Sequence, residues 1–149
     1  SNIAIILIGI GLVFFGYNGY TSQNQALENP INSSATVTET GIDRQSGGRG
    51  APEYQPEIMF EYSYEGQDYT SSNMYPGGQK PEDYNVESNA REVVDRYSQG
   101  SEITVNVPPE NPGEAFIKAK KTNNPLIGMG AGLLFILFGS YKFIKSRYM

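Results

Sequence analysis

Hydrophobic and polar positions divide the chain into three parts. Ile3 to Tyr20 and Pro125 to Ile144 are almost continuously apolar, and the long segment between them is polar with short alternations. At a rise of about 1.5 Å per residue the second run covers about 30 Å, the thickness of a bilayer's hydrocarbon core. Its only charge, Lys142, stands near one end, where its stem can carry the ammonium to the headgroups. The pattern predicts transmembrane helices at 3–20 and 125–144. A linker follows the first at 21–34, a β-rich domain fills 35–120, and a basic tail occupies 145–149.

Within the polar segment the clearest element is Glu57 to Tyr64. Ile58, Phe60, Tyr62 and Tyr64 alternate there with Glu57, Met59, Glu61 and Ser63, which predicts a strand with one aromatic, buried face. Glu65-Gly66-Gln67-Asp68 reads as a hairpin turn, and Tyr69 to Tyr75 as the returning strand. Ala35 to Arg44, rich in Thr and Val, reads as an earlier strand. The loop Ser46 to Pro52 leads into a strand and carries no Lys, so it lacks the helix that phosphate-cradling loops require. Asn89 with Glu92 fits a capping box opening a short helix whose apolar face is Ala90, Val93, Val94 and Tyr97, with Gly100 as its stop. Ile103 to Val107 and Ala115 to Ile117 complete the strands. The expected fold class is membrane α+β: two transmembrane helices bracketing a small β barrel or sandwich, with one short amphipathic helix packed on it.

Charge sets the expected orientation. All sixteen acidic residues lie between Glu28 and Glu114, and the whole segment 21–124 holds eight basic residues, for a net charge of −8. Lys142, Lys145 and Arg147 close the chain with no acid beside them. Short basic tails stay inside, so both termini are expected in the cytoplasm and residues 21–124 outside the cell membrane. Lys118, Lys120 and Lys121 pull the other way, but long loops cross largely regardless of charge. Tyr17, Tyr20, Tyr141 and Tyr148 stand where interfacial aromatic belts stand. The first run lacks a basic leader and a small-x-small cleavage site, and is read as a retained anchor.

The chain contains neither Cys nor His. Disulfides, thiolate chemistry, histidine bases and histidine or cysteine metal ligation are therefore excluded. An acidic domain also argues against nucleic acid as a partner. The densest acids, Glu82, Asp83 and Glu87, lack the spacing of a calcium loop and read as solvated charge near a helix start. Neither cofactor nor metal is expected, and the chain is read as a non-enzyme. Asn32-Ser33-Ser34 matches a glycosylation acceptor.

Small residues let membrane helices approach closely, which makes Gly9 and Gly16 on the first run, and Gly128, Gly130 and Gly132 on the second, the candidate packing residues. Gly9 and Gly16 lie seven apart, and Gly128-x-x-x-Gly132 is a small-xxx-small pair. Gly130 projects about 200° away from Gly128, leaving a second smooth face for a neighbour.

The residues Tyr62-Ser63-Tyr64, Gly66 and Tyr69, the run Tyr97-Ser98-Gln99-Gly100, the strand Ile103 to Val107, and Asn111-Pro112 together carry a resemblance. The chain is similar to a family of two-span membrane proteins of unknown function with a small extracytoplasmic β domain. Val107-Pro108 departs from the family's usual Tyr and acidic or amide residue before the proline. The resemblance implies this fold and carries no activity, ligand or catalytic residue. Two functions are therefore weighed. One is an accessory or structural subunit of a larger membrane complex, bound to the lipid bilayer and to other membrane protein subunits. The alternative is a freestanding extracytoplasmic module that binds or senses a ligand or envelope component.

Overall fold

A computed structural model describes residues 1–148 and separates into two compact units. One comprises Ser1–Ser22 together with the chain from Thr122, and the other Gln23–Lys121.

The first unit is a pair of helices, each long and apolar enough to cross a membrane: α1 (Asn2–Ala26) and α3 (Asn124–Tyr148). α1 runs six residues past the expected span, through the first half of the stretch read as a linker. Thr21 to Ala26 is polar but holds no Gly or Pro, so nothing there interrupts the backbone bonds, and the Thr21 hydroxyl donates to the Asn18 carbonyl at 3.0 Å. The stop comes where Asn29 adopts φ +54° ahead of Pro30.

In the second unit, β1 (Ile31–Ser46), β2 (Pro52–Tyr64), β3 (Gln67–Ser71) and β4 (Glu102–Val107) form one antiparallel sheet in the order β3-β2-β1-β4. β1 is much longer than the sequence reading allowed. Its early residues pair with β4, from Ile31 opposite Val107 to Thr36 opposite Glu102, and its later ones with β2, from Ala35 opposite Tyr62 to Ser46 opposite Pro52. The backbone of Asn32 to Ser34 is thus held in a ladder, although those side chains have little apolar reason to be there. Ser46 to Pro52 closes this long hairpin as the link between two strands, as expected.

The alternation of β2 holds. Ile58, Phe60 and Tyr62 are buried, while Glu57, Met59, Glu61 and Ser63 are exposed. Val37 on β1, and Val105 and Val107 on β4, bury with them. The expected hairpin also forms, as a two-residue loop. Glu65 (φ +48°) and Gly66 (φ +79°) both take left-handed backbone, the signature of a type I′ turn. Glu65 occupies a conformation that Asn holds more easily. Glu65→Asn should therefore stabilise the domain by about 0.5 kcal/mol, seen as a higher midpoint in denaturant titration. An unchanged or lower midpoint would mean that the side chain of Glu65 contributes something the turn geometry does not explain.

A barrel or sandwich was expected, and the four strands form an open sheet. Three further expectations are corrected. The residues expected as a last strand, 115–117, make only isolated bridges. Phe116 exchanges backbone bonds with Asn106 on β4 (3.0 and 2.8 Å), while Ile117 and Lys118 donate to the Asn73 and Met74 carbonyls (3.2 and 2.8 Å) in the chain that follows β3. A short strap therefore runs between the two edges of the sheet and buries Ala115 and Phe116 completely. The second correction concerns Tyr75, which lies outside β3. The chain turns away after Ser71, and Met74 and Tyr75 bury with Val37 and Ile58. The third is the helix start. α2 (Glu87–Asp95) opens two residues before Asn89, on Val86, with no side-chain cap. Glu87 and Glu92 instead pair with Arg91 and Arg96 one turn on. The apolar face is as read, with Ala90 fully buried and Val93 and Tyr97 packed against the Val37–Ile58 cluster. Gly100, at φ +82°, makes the return, its amide donating to the Val37 carbonyl at 2.7 Å.

Candidate functional site

The candidate packing residues resolve into a seam between α1 and α3. The helices run antiparallel. Gly16 lies against Pro125 and Met129, Gly9 against Gly132 and Ile136, and Gly139 against Asn2 and Ile6. Contact is backbone to backbone. A Cβ on Gly9 would stand 2.7 Å from the Gly132 carbonyl oxygen, and one on Gly132 2.6 Å from that of Gly9. One on Gly16 would meet the Pro125 carbonyl at 2.7 Å. Without side chains the helices gain dispersion contact along their backbones.

Of the five residues singled out from the sequence, Gly9, Gly16 and Gly132 are buried in the seam. Gly128 lies at its margin, where a Cβ would make ordinary 4.0 Å contacts with Gly16 and Leu12. Gly130 faces open space, with nothing within 4 Å. Gly139 completes the seam and was not among the five. The signal for it was spacing: Gly132 and Gly139 are seven apart, as are Gly9 and Gly16, and a seven-residue repeat keeps one stripe facing a partner helix, whereas the four-residue pair Gly128/Gly132 drifts off it.

The sheet domain carries two concave surfaces. An open cleft of about 310 Å³ lies over Glu39, Gly41, Gln55, Glu57 and Met59, with Lys80 on the facing loop. Gln55, largely buried, donates from its amide to the Pro81 carbonyl (3.3 Å) and the Asp83 carboxylate (3.1 Å), tying that loop to β2. A shallower groove of about 670 Å³ crosses the polar rows of β1, β2 and β3 at Thr36, Glu61 and Thr70. Among the described residues no cluster of three or more acidic side chains is arranged to hold a metal. Asp83 and Glu87 are engaged by Gln55 and Arg91. Asn32 is exposed on β1 opposite Asn106, in a ladder and not in the loop where an acceptor was expected.

The tyrosines form the domain's polar interior. The Tyr62 hydroxyl donates to the Pro112 carbonyl (2.6 Å) and accepts from the Ala115 amide (3.2 Å), and its ring stacks on Tyr69 at 5.7 Å between centroids. Burial pushes its pKa above the ordinary 10.0, with the nearby Glu114 charge adding to the rise and the Ala115 amide opposing it. Tyr75 and Tyr84 are raised as well, again chiefly by burial and then by the charge of Glu82. The Tyr62 hydroxyl is held in two structural hydrogen bonds and Tyr75 packs in the Val37–Ile58 cluster, which points to a packing role for both.

A family model described as a domain of unknown function (DUF3592) matches residues 33–122, which is the sheet domain from early β1 to the residue after Lys121. No curated protein matches the chain.

Proposed function

The chain belongs to the DUF3592 family, whose description assigns no activity, and from the residues themselves we propose a non-catalytic integral membrane protein that serves as an accessory or structural subunit of a larger membrane complex. The observation that carries this reading is the surface of the helical pair. Outside the glycine seam the large apolar side chains of both helices are exposed, among them Leu7, Phe14 and Phe15 on α1 and Ile127, Leu134 and Leu137 on α3. An apolar surface of that extent belongs in lipid or against protein. Its seam uses one side of α3, and Gly130, with nothing within 4 Å, leaves a gap on another side between the exposed Ile127 and Leu134 that a neighbouring subunit can fill. Co-purification tests this directly. Gly130→Leu should release the chain from its complex while leaving the helical pair and the sheet domain intact. A wild-type chain that runs alone on native gels, unaffected by Gly130→Leu, would favour the alternative of a freestanding binding module. The cleft over Glu39, Glu57 and Lys80 is the feature that supports that second reading.

Both termini lie in the cytoplasm in this proposal, with the sheet domain outside the membrane. With no native cysteine among the described residues, introduced thiols report cleanly. A membrane-impermeant thiol probe on intact cells should label Ser46→Cys, on the exposed end of β1, and miss Ser146→Cys near the end of α3. The reverse pattern would invert the orientation.

A further inference from the structure

We propose that Lys118, Lys120 and Lys121 form a binding site for the phosphate headgroups of anionic phospholipids, in the leaflet where α3 enters the membrane. The inference rests on the membrane reading above and extends it by naming the lipid class. Three cations fall within four residues of a segment that is otherwise strongly acidic. The ion pairs among the described residues are Glu87–Arg91 and Glu92–Arg96, so the domain's carboxylates do not neutralise these lysines. Glu114, the acid next in sequence, accepts instead from the Asn73 side-chain amide at 3.0 Å.

Position supplies the second argument. Lys121 stands three residues before Asn124, the first residue of α3. A chain spans at most about 3.5 Å per residue, which holds Lys121 within about 10 Å of the helix start and Lys118 within about 20 Å. At that distance the ammonium groups reach the headgroup layer of any bilayer that α3 crosses. The cluster is also fixed at its near end: the Lys118 amide donates to the Met74 carbonyl (2.8 Å) and the Lys120 amide to the Lys118 carbonyl (2.9 Å), so the lysines leave the strap from a hydrogen-bonded base. Lys120 and Lys121 are exposed.

Three lysines here match the Lys142, Lys145 and Arg147 group at the other end of α3, a distribution that weakens the charge asymmetry orienting the chain. Anionic headgroups give those lysines a favourable partner on their own side. Each basic residue close to an anionic surface favours binding about fivefold, and the attraction is screened by salt.

The test uses the full chain in lipid nanodiscs of phosphatidylcholine alone or with one-fifth phosphatidylglycerol, and mass spectrometry reads the rate of amine labelling at Lys120 and Lys121. Labelling should be about fivefold slower in the anionic discs at low salt, and the difference should collapse at 0.5 M salt. Lys118→Gln with Lys120→Gln and Lys121→Gln should cut the phosphatidylglycerol retained through detergent extraction relative to wild type. Inorganic phosphate added to neutral discs should leave labelling unchanged, and protection by phosphate alone would replace the lipid with a soluble anion. Equal labelling in the two discs, with the chain inserted in both, overturns this inference alone. A chain that enters neither disc overturns the membrane reading and this inference with it.

Discussion

Gly132→Leu should separate α1 from α3, lowering the stability of the helical pair by about 3 kcal/mol, while Gly130→Leu two residues away should leave it unchanged. A Cβ at Gly132 would stand 2.6 Å from the Gly9 carbonyl oxygen and 2.8 Å from the Val13 amide nitrogen. Neither atom can swing away, because both belong to the backbone of α1, so relief requires the helices to move apart. Overpacking usually costs about 1–3 kcal/mol when side chains can adjust. Two backbones in contact put this case at the upper end. Separation also forfeits the dispersion contacts along the two backbones. Thermal loss of helical signal in mild detergent, with hydrogen exchange along α1, reads the effect. Identical behaviour of the Gly132 and Gly130 variants would mean that the seam contributes little to the pairing.

Tyr62→Ala should destabilise the sheet domain by about 3–5 kcal/mol, within the range for deleting a buried aromatic side chain. Its ring is buried between Phe60 and Tyr69, and its hydroxyl joins β2 to both Pro112 and Ala115. Tyr62→Phe separates the two contributions. It keeps the ring but strands the Pro112 carbonyl and the Ala115 amide, at about 1–3 kcal/mol for the unpaired groups. A Phe variant as stable as wild type would show that the strap stands without this tie. The same hydroxyl predicts a pH response. A folded pKa raised above the unfolded value of about 10 means that the native state holds its proton more tightly. The stabilisation is therefore complete below pH 10 and is lost as pH rises through the folded value. Tyr75 and Tyr84 shift in the same direction, so the domain should be insensitive to tyrosine ionisation at neutral pH and weaken above pH 10. Tyr62→Phe should blunt that alkaline loss, measured by denaturant titration at pH 8 and pH 10.5.

Local periodicity by itself determined the two apolar helices, the buried face of β2, the turn at Glu65-Gly66 and the apolar face of α2, because each depends on residues a few positions apart. The apolar runs marked the helices but not their ends: α1 continues through polar residues to Ala26, since composition alone does not break a helix. Tertiary structure decided the remainder. Asn32 to Ser34 become strand because β4, far along the chain, offers Thr104 to Asn106 as partners. The choice between an open sheet and a barrel turns on Ala115 to Lys118, where a few hydrogen bonds to Asn73, Met74 and Asn106 make a strap in place of a strand, and no pattern within those residues encodes which edges they meet. The seam divides in the same way. Glycine content was visible in both helices, but which glycines touch depends on the antiparallel register of segments more than a hundred residues apart. That register places Gly132 and Gly139 against α1 and turns Gly130 outward, because a backbone contact between two helices is selected by how they cross and not by either sequence taken alone.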